Sequence, residues 1–181
     1  MLEFNVVMND DDYLEYNKFH MFKSPYGRRS MVGTQIMISV IMAIFVLVHL
    51  IRGSFSIESF VSAIPFVILL VLCLLCYKPL LMFFLKQQLK SYKKSGKMGY
   101  SPVSKITFYE DRFEEITETN KTEQSYSSIE RVSVVGEKYI YIHVNSIMAY
   151  IVPFSGIESR KQYDELMSLL GEACHKIDIY K

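Results

Sequence analysis

The chain is 181 residues long, 50% hydrophobic and 22% charged, with 20 Lys+Arg against 19 Asp+Glu for a formal net charge of +1. So much apolar and aromatic residue excludes disorder as a description of the whole chain. Three Cys are too few for a disulfide-stapled secreted scaffold, and near-neutrality excludes a globally basic nucleic-acid binder.

Residues 1–30 read as a cytoplasmic strand followed by a helix. Leu2, Phe4, Val6 and Met8 alternate with a mostly polar set, the period of a half-buried strand. Asn9 or Asp10 can cap a helix whose first turn is acidic, as the helix dipole favours, and Tyr13, Leu14, Tyr16 and Phe19 give it a partly apolar face. The acidic run is not an EF-hand. That loop needs alternating ligands, a Gly at its sixth position and a Glu at its twelfth, and counted from Asp10 the twelfth residue is Met21.

Two apolar blocks follow, residues 31–51 and 59–77, neither carrying a formal charge. As helices they span roughly 28–32 Å, matching a bilayer core of about 30 Å. They are expected to be transmembrane helices joined by a short external loop, residues 52–58. Lys18, Lys23, Arg28 and Arg29 precede the pair, and residues 78–97 after it hold six Lys and no acid. By the positive-inside rule both termini are expected in the cytoplasm of a two-span protein of the cell membrane. His49 near the outer end of the first span is either a functional ionisable group or one wetted at the interface. Ser39/Ala43 and Ser59/Ala63 are small pairs that let helices approach closely or support a homo-oligomer.

The basic juxtamembrane segment serves first as topology signal and anchor. Its candidate contacts to an anionic leaflet are Lys86, Lys90, Lys93, Lys94 and Lys97.

Residues 98–181 change character. Short alternating runs (Ile106–Tyr109, Arg112–Thr117, Thr122–Tyr126, Ile129–Val135, Tyr139–Val144 and Ile147–Val152) are separated by polar turns, which reads as an antiparallel meander. Ser155-Gly156-Ile157-Glu158 fits a capping box, and Tyr163, Leu166, Leu170 and Ala173 form one stripe on a closing helix. The fold class expected is a membrane α-helical hairpin of two helices plus a cytoplasmic α+β domain. That domain is pleckstrin-homology-like (PH-like), an antiparallel β-barrel or meander closed by a C-terminal helix. Leu2–Met8 is expected to pair with its sheet and cover an exposed edge.

The order of these cues resembles the YcxB-like membrane proteins of bacteria. The resemblance rests on the acidic-aromatic start at residues 11–17, the two apolar blocks, Ile106–Asp111, Tyr126–Val132, Tyr139–Ile142 and Tyr150–Pro153. It implies a PH-like C-terminal domain and no particular activity. Similar proteins tend to carry a basic residue after the closing Pro, where this chain has Phe154.

No catalytic constellation, metal set or cofactor motif is recognisable, so no cofactor and no enzyme activity are expected. Cys73 and Cys76 have redox spacing but lie within the second span, where hydrocarbon disfavours a thiolate. The function expected is a membrane-anchored interaction or scaffold module whose partners are the anionic leaflet and a cytoplasmic protein or peptide, not nucleic acid. The alternative is a small oligomeric transport or channel component, for which the spans offer Thr34, Gln35, Ser39, His49 and Ser62 as polar lining. A lipid-modifying enzyme ranks last.

Overall fold

A computed structural model of the protein describes residues 1–96, 100–146 and 148–181. They form two compact units, Met1–Asn9 with Gly99–Lys181, and Asp10–Met98.

The first unit is built on two four-stranded sheets. One has the order β1 (Leu2–Val7), β2 (Val103–Phe108), β3 (Arg112–Thr117), β4 (Lys121–Ser125), all antiparallel. The other has the order β7 (Ala149–Pro153), β6 (Tyr139–His143), β5 (Arg131–Val135), β8 (Ile177–Tyr180), with β8 parallel to β5. The N-terminal strand therefore joins the C-terminal sheet, as the alternation predicts. Leu2 pairs with Phe108 and Phe4 with Ile106, and the buried set Phe4 and Val6 faces inward while Glu3 and Asn5 face out.

Fifteen buried residues form the core between the sheets and α4 (Arg160–Ala173). Phe4 and Phe108 meet edge to face at 5.7 Å, Phe108 stacks on Phe113 at 5.5 Å, and Phe113 meets Tyr150 of the other sheet at 5.0 Å. Such aromatic pairs add specificity to simple area burial. Leu166 and Leu170 of α4 are fully buried among them.

The sheets do not close into the barrel expected from the sequence. A 3₁₀ turn at Tyr126–Ser128 separates β4 from β5, and it is held by the Ser125 hydroxyl accepting from the Ser127 N–H and by the Ser128 hydroxyl donating to the Ser125 carbonyl at 2.7 Å. At the opposite corner β1 approaches β7 without pairing. The 3₁₀ turn Phe154–Gly156 lies against β1 there, so close that a Cβ on Gly156 would stand 2.8 Å from the Asn5 carbonyl oxygen.

That turn also displaces the expected capping box. Ile157 N–H closes it on the Phe154 carbonyl, and α4 starts at a second pattern instead: Ser159 Oγ accepts from Gln162 N–H while Gln162 Oε1 accepts from Glu158 N–H. Strand β8 has no counterpart in the sequence reading. The expected strand from Ile147 is seen from Ala149, and Ile147 itself lies outside the described residues.

The second unit consists of α1 (Asp10–Phe22), α2 (Pro25–Arg52) and α3 (Ile57–Lys94). Ser24 breaks the chain between α1 and α2, where Pro25 suits the first helical position and Ser24 Oγ accepts from Gly27 N–H at 3.0 Å. α2 thus begins at Pro25 rather than near Met31. α3 runs without interruption through Pro65 and Pro79, so residues 78–94 continue the same helix. Both α2 and α3 are long and apolar enough to cross a membrane. Their apolar side chains are largely exposed (Phe45 is 62% and Leu75 72% exposed).

Candidate functional site

Two polar constellations stand out in the helical unit. The first joins the hairpin: His49 Nε2 and Ser62 Oγ are 2.7 Å apart, Ser62 also donates to the Ser59 carbonyl, and Ser59 donates to that of Ser56. Ser59 and Ala63 are buried where the helices meet, as the small-residue pair predicts, whereas Ala43 of the other pair is exposed. A Cβ on Gly53 would come within 2.4 Å of the Ser59 Cβ, so the corner needs this glycine.

The second is a groove of about 430 Å³ between the first turns of α1 and the last turns of α3. Lys86, Lys90 and Lys93 recur at four- and three-residue spacing, which puts them on one face of α3. Leu14 and Leu89 supply apolar lining, Phe83 stands at one end, and Asp10 and Asp11 complete the wall from α1. Leu89 is buried, and Asp10 is ion-paired to Lys93. Of the lysines expected from the sequence, Lys94 is not part of the lining and Lys97 lies outside the described residues. Leu14, Asp10 and Asp11 were not readable as partners of the lysines, because only the α1–α3 packing brings them there.

In the sheet unit a carboxylate is held almost out of solvent. Glu114 on β3 accepts from Tyr109 Oη at 2.9 Å and pairs with Lys121 Nζ at 2.9 Å, its side chain 7% exposed. Tyr126 Oη donates to the Tyr109 carbonyl, so the network clips β2, β3, β4 and the following turn together. The residues of this network lie, with β3 to β7 and most of α4, in the continuous stretch from Phe108 to Leu170.

Residues 108–170 match the family model described as YcxB-like protein. No curated protein and no solved structure matches the chain. The YcxB-like stretch holds the Glu114 network and most of the core, including Phe113, Tyr150, Leu166 and Leu170, but not β1, the apolar helices or the lysine groove. Phe154, where the resemblance favours a basic residue, lies 5.4 Å from the ring of Tyr163 and so contributes packing at that position. Among the described residues no group of His, Cys, Asp or Glu could hold a metal ion, and Cys174 is buried in the core.

The YcxB-like stretch has a testable acid sensitivity. Hydrogen bonds from Lys121 and then Tyr109 hold the Glu114 carboxyl below its usual value of 4.5. A depressed carboxyl pKa stabilises the fold above the unfolded value, and the gain disappears as pH falls through the folded value. Glu114→Gln is therefore expected to melt at lower temperature than the parent at pH 7, with the gap closing as the pH is taken well below 4.5. A gap unchanged across that range would show that the effect is packing rather than charge.

Proposed function

We propose that the chain is a membrane-anchored interaction module, in which a two-helix hairpin fixes a PH-like domain at the cytoplasmic face of the cell membrane and the domain presents a surface to a cytoplasmic protein or peptide. The observation that carries this reading is the register of β1 with β2. β1 precedes the two apolar helices and β2 follows them, yet they zip together over six residue pairs. Pairing of the strands that flank the two helices supports a hairpin with both ends on one side. The basic residues at 18, 23, 28 and 29 and at 78–94, against Arg52 as the one basic residue in the connection 52–58, favour the cytoplasm for that side.

The PH-like reading is supported by the order of elements: four antiparallel strands, three more, then a helix against the core, with β8 as an addition. Residues 98–181 carry nine basic and 13 acidic residues, a balance that favours a protein ligand over an anionic headgroup on this domain. A pore is less well supported, since His49 and Ser62 are engaged with each other.

Single cysteines in a chain freed of Cys73, Cys76 and Cys174 test the topology. Ser54→Cys is expected to react with a membrane-impermeant maleimide on intact cells, and Glu137→Cys only after lysis. The reverse pattern would invert the orientation; extraction of the chain by alkaline carbonate would remove the anchor altogether. A photocrosslinker at exposed Ile116, on the full chain in cells, is expected to give a discrete adduct that a probe at Phe55 does not. Identical patterns from the two positions would count against a cytoplasmic partner.

A further inference from the structure

We propose that the groove between α1 and α3 holds one anionic phospholipid, its phosphate against Lys86 and Lys90 and the start of its acyl region along Phe83 and Leu14. The inference rests on the membrane anchoring proposed above and deepens it, from general adhesion to a single built site.

Position argues first. Leu80, Phe83 and Phe84 are each more than half exposed, and Lys86 and Lys90 follow within two turns. Past Lys78, which lies over the Phe22 ring, the exposed surface of α3 changes from apolar to cationic between Phe84 and Lys86, the same order in which a phospholipid passes from acyl chain to phosphate. A soluble anion has no use for the apolar end of such a groove.

Charge argues second. Lys93 is tied to Asp10, while Lys86 and Lys90 make no ion pair among the described residues. Their i, i+4 spacing lets two ammonium groups reach one phosphate from the same helix face, and ammonium groups bind phosphate as point charges from a range of directions. Across the groove stands Asp11, a hydrogen-bond acceptor. A headgroup ending in hydroxyls suits that rim, and one ending in a carboxylate does not. Phosphatidylglycerol has this chemistry.

Size argues third. A volume of about 430 Å³ lies within the roughly 300–1,000 Å³ of pockets that hold a small organic molecule, and exceeds what a bare phosphate fills.

The test uses the full chain in detergent, delipidated and titrated with phosphatidylglycerol or phosphatidylcholine, with adducts counted by native mass spectrometry. One phosphatidylglycerol is expected to bind at least about tenfold more tightly than phosphatidylcholine. The exposed pair Lys86→Gln/Lys90→Gln should lose about that factor, while Lys78→Gln/Lys94→Gln, which removes the same charge outside the groove, should stay within about twofold. Equal losses in the two variants would mean diffuse electrostatic attraction and overturn the site. So would equal affinity for both lipids, or displacement of phosphatidylglycerol by millimolar inorganic phosphate. Carbonate extraction of the parent chain keeps the two readings apart: a parent that stays integral to the membrane but shows no preference for phosphatidylglycerol fails the groove alone, whereas release of the parent fails the anchor.

Discussion

Phe4→Ala is expected to destabilise the sheet unit by about 3–5 kcal/mol, the range for removing a fully buried aromatic ring from a core. Phe4 is completely buried, opposite Ile106 in register and edge-on to Phe108. Neighbours on β2 and β3 cannot collapse into the vacated space without breaking the stack of Phe108 on Phe113. Glu3→Ala, one residue away, is the matched control. Glu3 faces solvent and pairs with Lys105 at 2.8 Å, an exposed ion pair worth less than about 1 kcal/mol. The readout is the melting of near-ultraviolet dichroism, or resistance of the sheet unit to a protease, on the full chain in detergent. Deleting residues 1–8 should act more severely still, since it removes Val6 as well and opens the edge of β2. If Phe4→Ala melted no lower than Glu3→Ala, β1 would be an ornament on the sheet rather than part of it.

That first strand was legible because one of its faces is apolar and the other is not. Leu2, Phe4 and Val6 announce the strand locally, and the need to cover an edge supplies a partner. α2 and α3 were legible from length and the absence of charge alone. Closure of the sheets was not, because it depends on β4 meeting β5 and β1 meeting β7, and no local pattern encodes either pairing. The 3₁₀ turns at residues 126–128 and 154–156 settle both corners, and their serines and glycine read equally well as ordinary turn residues. β8 is four residues long, too short to show a period. At α4 two capping patterns compete within five residues, and the later one wins because the earlier is consumed by the Phe154–Gly156 turn. The groove divides in the same way. Its lysines were visible as a charge run, while Leu14, Asp10 and Asp11 lie more than 70 positions away in sequence and join them only through helix packing.

Gly27→Ala is expected to be the most damaging small substitution in the helical unit. A Cβ at Gly27 would stand 1.9 Å from the His20 carbonyl oxygen and 2.6 Å from that of Met21. Both obstacles are backbone, so no side-chain rotation relieves them, and the corner between α1 and α2 must open. Overpacking of this kind costs about 1–3 kcal/mol where side chains can adjust, and should reach or exceed the top of that range here. Gly33→Ala is the control, since nothing lies within 4 Å of its Cβ and alanine should gain up to about 1 kcal/mol in a helix interior. The pair is to be compared by unfolding of the full chain in mixed micelles of increasing denaturing detergent. Equal midpoints would mean that the corner adapts at no cost and that the Ser24–Gly27 contact is incidental. The substitution also separates fold from site. Asp10 and Leu14 ride on α1 while Lys86 and Lys90 ride on α3, so displacing α1 leaves every lysine of the groove in place and removes the wall opposite them. Lipid bound by charge alone would survive Gly27→Ala; lipid seated between the helices would be lost with it.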